Sequence, residues 1–326
     1  MRVLRSLDEA AAAGTLRGGA VAIGNLDGVH LGHQRLVEVA RAWGASAAGR
    51  AGVLTFDPHP ARVLRPQLAP PLLTELPRKL ELLAALGLDA AVVQPFDRAY
   101  AGRSAAEFVG EDLAGRLGVR HVVVGYDFTA GRERARVDTL RPLAERHGIT
   151  LHVVEPVAAE GLVVSSTKIR EFLLEGNVEA AALLLTRPHD VDGVVARGAG
   201  RGRGFGFATA NLATAGLLPA QGVYAVEAWV GRPGEAPGAG ARPLGGVCNV
   251  GVKPTVQETG QVVAETHLFD FGGADLYDAP LRLAFLARLR DERRFPSLEA
   301  LRAQIARDAE AARAVLAARR AGGAPA

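Results

Sequence analysis

The sequence predicts an α/β fold in which a doubly wound parallel sheet is followed by a C-terminal antiparallel β-barrel with a terminal helix. Its 326 residues, 48% of them hydrophobic, exceed the usual size of one hydrophobic core and favour two domains. Apolar runs alternate with helical patterns in the first half, whereas strand-like runs separated by Gly- and Pro-containing loops fill the second. The pattern changes at "LLLTRPHDVDG", which divides the chain into domains 1–186 and 187–326.

Apolar runs that are each followed by a helical pattern build the predicted parallel sheet. The runs are "GAVAIGN", "AGVLTF", "DAAVVQPF", "RHVVVGYDF" and "TLHVVEP", and the helical patterns cover 32–42, 74–86, 104–117, 136–147 and 166–185. Strands and helices in this order form right-handed βαβ units, with helices on both faces of the sheet. Ligands bind at the carboxyl ends of such strands. We therefore expect the chemistry in the loops "GNLDGVHLGH", "TFDPHP", "GYDFTAGRERA" and "SSTKIR".

The second half predicts a compact antiparallel barrel. Its strand-like runs are "DGVVARG", "GVYAVEAWV", "LGGVCNVGV", "VVAETHLFDF" and "APLRLAFLARLR". The segment 230–246 is rich in Gly, Pro and Ala and reads as a hairpin connection. Helical periodicity then runs from Ser297, a predicted N-cap, to about Arg320.

Composition indicates the cellular compartment of the protein and the classes of partner it binds. The 38 basic and 35 acidic residues leave a net charge of +3, which does not call for a nucleic-acid partner. A lone cysteine, Cys248, excludes an internal disulfide and a cysteine-rich metal site, and this usage fits a reducing cytosol. No apolar run has the length of a membrane span, and the N-terminus lacks the apolar core of a signal peptide. We expect a cytoplasmic protein without a membrane partner.

Two histidines stand at the start of a predicted helix in "AIGNLDGVHLGHQRLVEVA". If the helix begins near Leu31, His30 and His33 lie on one face, because residues three apart are neighbours on a helix. The free N–H groups and partial positive charge of a helix N-terminus attract anions such as phosphate. Imidazoles there can donate hydrogen bonds as charge builds during phosphate transfer. Zinc binding is disfavoured, since no cysteine or third histidine stands at a suitable nearby spacing.

These residues carry a family resemblance. "GNLDGVHLGHQ" resembles the H-x-G-H signature of nucleotidylyltransferases. The residues around this signature are similar to those of bacterial bifunctional riboflavin kinase/FAD synthetases. The stretches "LTFDPHP", "VVGYDF", "SSTKIREFLLEGNVEAAALLL" and "RGRGFGFATANL" agree with the same family. The resemblance implies an FMN adenylyltransferase domain followed by a riboflavin kinase domain. The barrel would phosphorylate riboflavin to FMN, and the first domain would adenylylate FMN to FAD with release of pyrophosphate, each using ATP and Mg²⁺.

For the first domain, the resemblance implies a phosphate site around the histidine pair. His30 and His33 would contact the phosphates of ATP, and Asp27 would hold the loop or assist magnesium. A second phosphate site would lie at the start of the helix in "SSTKIR"; taken without the first motif, this stretch is better explained as an ordinary N-cap with a solvated arginine. The other residues implied at the ATP, FMN and flavin sites are Gly24, Asn25, Gly28, Asp57, His59, Asp127, Ser166, Thr167 and Arg170.

For the second domain, the resemblance implies a glycine-rich ATP loop that contains Gly202, Arg203 and Gly206. Thr209 and Asn211 alternate along an extended chain, so both can offer oxygens to Mg²⁺ and to phosphates. Glu265 is identified with the general base that takes the proton from the ribityl 5′-hydroxyl of riboflavin.

The chain differs from the usual motif residues of the family at several positions. Leu26 replaces a customary Phe, Thr129 and Ala130 stand where Arg-Phe is usual, and Ala208 replaces a proline. One alternative is therefore a chain with a decayed kinase domain. Another is an RNA-associated binding protein that uses the Arg/Gly segment. Our main expectation is an enzyme whose partners are riboflavin, FMN and ATP, with no nucleic acid, acting as a monomer or weak homo-oligomer.

Overall fold

A computed structural model describes residues 1–46, 49–196, 209–232, 237, 242–253, 261–272 and 276–321. The chain divides into two compact units. The first contains Met1–Pro71 and Leu76–Ser165, and the second contains Leu72–Glu75 and Ser166–Ala326.

The first unit is built on a six-stranded parallel sheet with the order β1-β4-β3-β2-β5-β6. From β2 the chain moves outward through β3 to β4, and β5 then returns to the other side of β2. The order therefore reverses between β2 and β5, which is where open α/β sheets bind ligands. The strands are Arg2–Leu4 (β1), Ala20–Ile23 (β2), Ala51–Asp57 (β3), Ala90–Pro95 (β4), His121–Gly125 (β5) and Thr150–Val154 (β6), and Ala158–Ala159 (β7) and Leu162–Val163 (β8) form a separate pair.

Helices cover both faces of this sheet, which confirms the doubly wound prediction. Val21 and Ile23 of β2 belong to one core, and their neighbours Ala20 and Ala22 belong to a second. Alternate residues of a strand point to opposite faces, so the two cores lie on opposite sides of the sheet. The helices are Leu7–Ala13 (α1), Leu31–Ser46 (α2), Pro60–Leu64 (α3), Leu76–Ala85 (α4), Arg98–Ala101 (α5), Ala105–Glu107 (α6) and Val137–Arg146 (α7), with a π-helical segment at Phe108–Leu117 and a 3₁₀ turn at Pro66–Leu68.

The second unit begins with two helices, Ser166–Glu175 (α8) and Val178–Leu185 (α9), where the periodicity predicts one. Gly176 adopts a φ of +79°, which ends α8. The Asn177 side chain then accepts a hydrogen bond from the Ala180 backbone N–H at 3.0 Å and starts α9. Both helices group with the barrel unit. The boundary at 186/187 between the two functional domains stays a prediction.

A closed antiparallel barrel with the order β10-β13-β12-β11-β14-β9 forms the rest of this unit, as predicted. The last helix covers part of its outer face, where Ala312 and Leu316 pack with Ala225 and Phe269. The barrel strands are His189–Ala196 (β9), Thr209–Ala213 (β10), Gly222–Val230 (β11), Leu244–Lys253 (β12), Gln261–Leu268 (β13) and Pro280–Arg290 (β14), and the terminal helix is Leu298–Ala321 (α10).

Two smaller sequence observations also have structural counterparts. Ser297 caps α10, because its hydroxyl accepts a hydrogen bond from the Ala300 N–H at 3.1 Å. Cys248 is buried, and burial raises the pKa of its thiol to about 12. Among the described residues, no helix combines the length and the apolar character that crossing a membrane requires.

Barrel packing generates a stability prediction. Leu281 of β14 is 0% exposed, whereas Leu298 at the start of α10 is 64% exposed. We expect Leu281→Ala to lower the free energy of unfolding by about 2–5 kcal/mol, because it leaves a cavity, and Leu298→Ala to change it by less than about 0.5 kcal/mol. Urea denaturation of both variants compares the same substitution at the two positions. Equal effects would contradict the burial of Leu281.

Candidate active sites

A strained turn follows β2 at the edge of the sheet where the strand order reverses. Leu26, Gly28 and Val29 all have positive φ, at +52°, +90° and +43°. Such values are costly for non-glycine residues, and most of all for a β-branched valine. Leu26 and Val29 are buried in the core that also contains Ala20 and Ala22, and this packing holds the turn in its conformation. The leucine that replaces the family's phenylalanine is therefore part of the core.

The histidine pair stands directly after this turn. Helix α2 begins at Leu31, and the rings of His30 and His33 stack with their centroids 3.6 Å apart and an interplanar angle of 19°. The His33 backbone N–H donates to His30 Nδ1 at 3.4 Å, so His30 closes the first turn of the helix. A Cβ on Gly32 would lie 3.2 Å from His30 Cε1, so only glycine leaves this ring its full space.

His33 is held in its neutral form. Its pKa lies well below the ordinary 6.5, first because of burial and then because of the nearby His30 and Lys79 charges. Its Nδ1 is buried and has no hydrogen-bond partner among the described residues. A half-buried, neutral imidazole with a buried ring nitrogen, beside a helix N-terminus, is suited to binding an anionic group of a ligand.

Lys79, which sequence reasoning did not select, lies beneath the turn. This α4 side chain is 7% exposed, and its Nζ donates to the Asn25 carbonyl at 3.0 Å and to Thr55 Oγ1 at 3.3 Å. Burial lowers the pKa of Lys79, while Asp27 and Asp57 act in the opposite direction. A lysine within a helical pattern reads as a solvated residue, so only the structure reveals its contacts.

The neighbouring strand ends place further predicted residues at the same edge of the sheet. Asp57 ends β3, is exposed, and precedes a cis peptide bond to Pro58. His59 Nδ1 accepts a hydrogen bond from the Ala61 N–H at 3.2 Å and thereby caps α3. Asp127 is exposed just after β5, the strand that pairs with β2. The structure thus gathers Asn25, Asp27, His30, His33, Asp57, His59 and Asp127 at the carboxyl ends of β2, β3 and β5.

An aromatic cluster at this edge was also not predicted from the sequence. Phe56, near the end of β3, packs against Phe96 and Tyr100, with ring centroids 5.6 and 6.1 Å away. The Tyr100 hydroxyl donates to the buried Asp112 carboxylate at 3.1 Å, and Arg116 donates to the same carboxylate. Burial raises the pKa of Tyr100, so the phenol stays protonated. The cluster offers aromatic surface beside the polar strand ends.

Ser166, Thr167 and Arg170 lie in the first half of α8. This helix belongs to the second unit, whereas the histidine pair belongs to the first. A shared phosphate site between these residues and the histidines stays a prediction.

In the barrel, strand register aligns three polar side chains in one row. Glu265 of β13 pairs with Asn211 of β10 on one side and with Asn249 of β12 on the other. Directly paired residues share a face, so the three side chains project together. Their neighbours along the strands, Ala210, Cys248 and Thr266, are buried in the barrel interior, which puts the row on the outer face.

Asn249 is the member of this row that sequence reasoning did not select. Its Nδ2 donates to Glu292 Oε1 at 3.4 Å. The backbone of Thr209 pairs with His267, two residues along from the Asn211–Glu265 pair. Gly202, Arg203 and Gly206, together with Ala208, lie outside the described residues.

Arginines join the end of β14 to α10. Arg290 donates to both carboxylate oxygens of Asp308, with distances of 2.8 to 3.1 Å. The guanidinium groups of Arg290 and Arg293 lie 5.6 and 5.0 Å from the centre of the Phe295 ring. These contacts hold the chain that follows β14 against the terminal helix. Among the described residues, no group of three or more His, Cys, Asp or Glu side chains could hold a metal ion by itself.

The low pKa of His33 generates a pH prediction. An unfolded His33 takes up a proton near pH 6.5, but the folded one does so only at lower pH. The unfolded state binds more protons in that window, so this residue's contribution to stability falls as the pH drops below 6.5. We expect the His33 Cε1–H resonance, assigned with His33→Asn, to titrate well below pH 6.5. The same variant should weaken the loss of stability between pH 6.5 and 5. A titration midpoint at or above 6.5 would contradict the burial argument.

Comparisons with known proteins match both units. The family model of FAD synthetase matches residues 13–168, and that of riboflavin kinase matches residues 185–316. A solved structure named as a macrolide-efflux protein, from Streptococcus pneumoniae, superposes with a TM-score of 0.83 and 28% identity, covering 96% of this chain and 99% of that one. The likeness shows a shared fold along nearly the whole chain, and the efflux name belongs to that protein alone.

Curated relatives match over nine tenths or more of this chain. A bifunctional riboflavin kinase/FMN adenylyltransferase of Pseudomonas fluorescens is 37% identical, with 92% of this chain and 94% of the relative covered. One of Bacillus subtilis (strain 168) is 36% identical, with 90% of each covered. The two domain matches and these relatives show that the chain belongs to the bifunctional riboflavin kinase/FMN adenylyltransferase family.

Proposed function

We propose that this enzyme phosphorylates riboflavin to FMN with its barrel and adenylylates FMN to FAD with its parallel-sheet domain, using ATP in both steps. The histidine pair stacked at the start of α2 is the observation that carries the second activity. The match of both family models within one chain supports two working domains over the alternative in which only one is active.

In adenylyl transfer, an oxygen of the FMN phosphate attacks the α-phosphorus of ATP, the bond to the bridging oxygen breaks, and pyrophosphate leaves. Negative charge builds on the phosphate oxygens along this path. We assign His30 and His33 to hydrogen-bond those oxygens, with Arg170 adding positive charge. Gly24, Asn25, Asp27 and Gly28 form the turn against which the phosphates lie.

The remaining residues of the first domain are proposed to orient the substrates. Ser166 and Thr167 offer hydroxyls and backbone N–H groups to phosphate at the start of α8. Asp57, His59 and Asp127 face the flavin or its phosphate from the strand ends. Phe56, Phe96 and Tyr100 present aromatic surface on which an isoalloxazine ring can pack.

In the kinase reaction, Glu265 takes the proton of the ribityl 5′-hydroxyl while that oxygen attacks the γ-phosphorus of ATP and ADP leaves. Asn211 and Asn249 flank the carboxylate in the same row, where their amides can orient the hydroxyl and the phosphates. We assign Gly202, Arg203 and Gly206 to the phosphates of ATP by family resemblance.

Magnesium fits the donor chemistry of Asn211 in this row and of Thr209, which comes two residues earlier on the same strand. Thr209 and Asn211 would hold it through hydroxyl and amide oxygens, which are hard, neutral ligands that leave the phosphates to supply the negative charge. Glu265 pairs with Asn211 in the register, which supports assigning the base and the cation to neighbouring positions. When bound, Mg²⁺ would supply positive charge that offsets the charge of the phosphates.

We also propose that the protein acts in the cytoplasm, as a monomer or weak homo-oligomer, without a nucleic-acid partner. The single cysteine supports a reducing compartment, and the net charge of +3 supports the absence of a nucleic-acid partner. An RNA-associated protein would instead show salt-sensitive RNA binding that survives loss of the histidine pair.

The histidine assignment predicts a selective loss of the second step. We expect His33→Asn and His30→Asn each to lower kcat for FAD formation from FMN about 100-fold or more, because each removes a donor to the developing charge. FMN formation from riboflavin by the same variants should stay within about twofold of wild type. Chromatographic separation of the flavins over time measures both. Retention of FAD formation in both variants would refute the assignment.

For the barrel, we expect a substitution to lower FMN formation and to leave FAD formation unchanged. Glu265→Gln keeps the shape of the side chain but cannot take a proton, so FMN formation should fall by about 10²–10⁴-fold. FAD formation from supplied FMN should be unchanged in this variant. A kinase rate close to wild type would show that another group acts as the base.

A further inference from the structure

We propose that Lys79 is a positioning residue for adenylyl transfer: its ammonium anchors the strained turn after β2, so that the turn and the histidine pair meet the substrate phosphates in one fixed geometry. The inference rests on the proposed function for its catalytic readout, but the anchor itself can be measured without substrate.

The contacts of Lys79 join three elements at one point. Its Nζ donates to the Asn25 carbonyl at 3.0 Å and to Thr55 Oγ1 at 3.3 Å, and the Thr55 hydroxyl donates to the same carbonyl at 3.2 Å. Lys79 comes from α4, Thr55 from β3 and Asn25 from the turn after β2. This closed set of hydrogen bonds ties the first residues of the turn to two rigid elements.

The turn needs such an anchor. Leu26 and Val29 hold a positive φ that an isolated chain would abandon, so the surroundings must determine the conformation. Packing of these two side chains secures the centre and the end of the turn. Lys79 secures its beginning, at Asn25, where the backbone itself is the hydrogen-bond acceptor.

Charge gives Lys79 a second role in positioning. Asp27 and Asp57 stand close enough to favour its ammonium form. Two carboxylates beside a site that receives two phosphorylated substrates would repel them. The ammonium offsets that repulsion. Its hydrogen bonds to Asn25 and Thr55 fix its position.

The choice of lysine is informative in this chain. Of its 38 basic residues only three are lysines, at positions 79, 168 and 253. A lysine that merely covered apolar surface would extend its head group to solvent, whereas Nζ of Lys79 turns inward to Asn25 and Thr55. A compact ammonium fits between two oxygens at about 3 Å, where a planar guanidinium would not.

The first test is Lys79→Met, which keeps the length of the side chain but removes its charge and its donors. We expect kcat for FAD formation to fall at least about tenfold, with a smaller change in KM for ATP, because a displaced turn costs the transition state more than the ground state. Riboflavin kinase activity in the same chain reports on folding and should stay within about twofold. Arg78→Met, which removes a positive charge from the next position of α4, is the matched control and should leave both activities unchanged.

Two further measurements distinguish loss of the anchor from misfolding of the Lys79→Met variant. Thr55→Val removes only the hydroxyl and should lower FAD formation several-fold with kinase activity retained. In the substrate-free protein, amide hydrogen exchange over residues 24–29 should be about tenfold faster in Lys79→Met than in wild type. This readout does not need turnover, so it tests the anchor even if the wild-type protein makes no FAD, a result that would refute the proposed function alone.

Three results would overturn the proposal. The first is FAD formation by Lys79→Met within twofold of wild type. The second is the loss of both activities in Lys79→Met while Thr55→Val makes FAD at the wild-type rate. The third is unchanged hydrogen exchange over residues 24–29, since Lys79 would then act other than by holding the turn.

Discussion

The first domain depends on the burial of two side chains from a turn that its backbone would not otherwise form. Leu26 and Val29 lie in the core between α2 and the sheet, and this packing offsets their positive φ. Because the core packing of Leu26 and Val29 fixes the turn, helix α2 can begin at Leu31 with both imidazoles stacked at its first turn. The hydrophobic core and the histidine pair are therefore coupled: a change at Leu26 would also alter the turn at the proposed phosphate site.

The two domains solve the same problem, the handling of phosphates, in different ways. The proposed site of the sheet domain lies at strand ends and at a helix N-terminus, where backbone N–H groups can bind phosphate. The polar row of the barrel consists instead of side chains of paired strands and is held by the ladder between Asn211, Glu265 and Asn249. In their described parts, one proposed site is thus positioned mainly by loop conformation and the other mainly by strand register.

Much of this architecture was predictable because its signals are local. The apolar runs of β2 to β6 and the helix cap at Ser297 follow from periodicity and capping. By contrast, β1 is only three residues long, which is too short for a periodic signal. Gly176 and Asn177 divide a helix that the apolar pattern alone joins. Lys79 and Asn249 escaped detection because their importance comes from pairing across elements, which no single stretch of sequence contains.

Closure of the barrel affects how easily a register shift of one strand can disrupt its polar row. In an open sheet, an edge strand can slip by one residue at the cost of one ladder, and every side chain on it then turns to the opposite face. Here β10 and β13 each have two neighbours, so a slip at either breaks the pairing on both sides. A register shift that turns Glu265 inward is therefore more costly here than at the edge of an open sheet, so barrel closure helps to keep the polar row on the outer face.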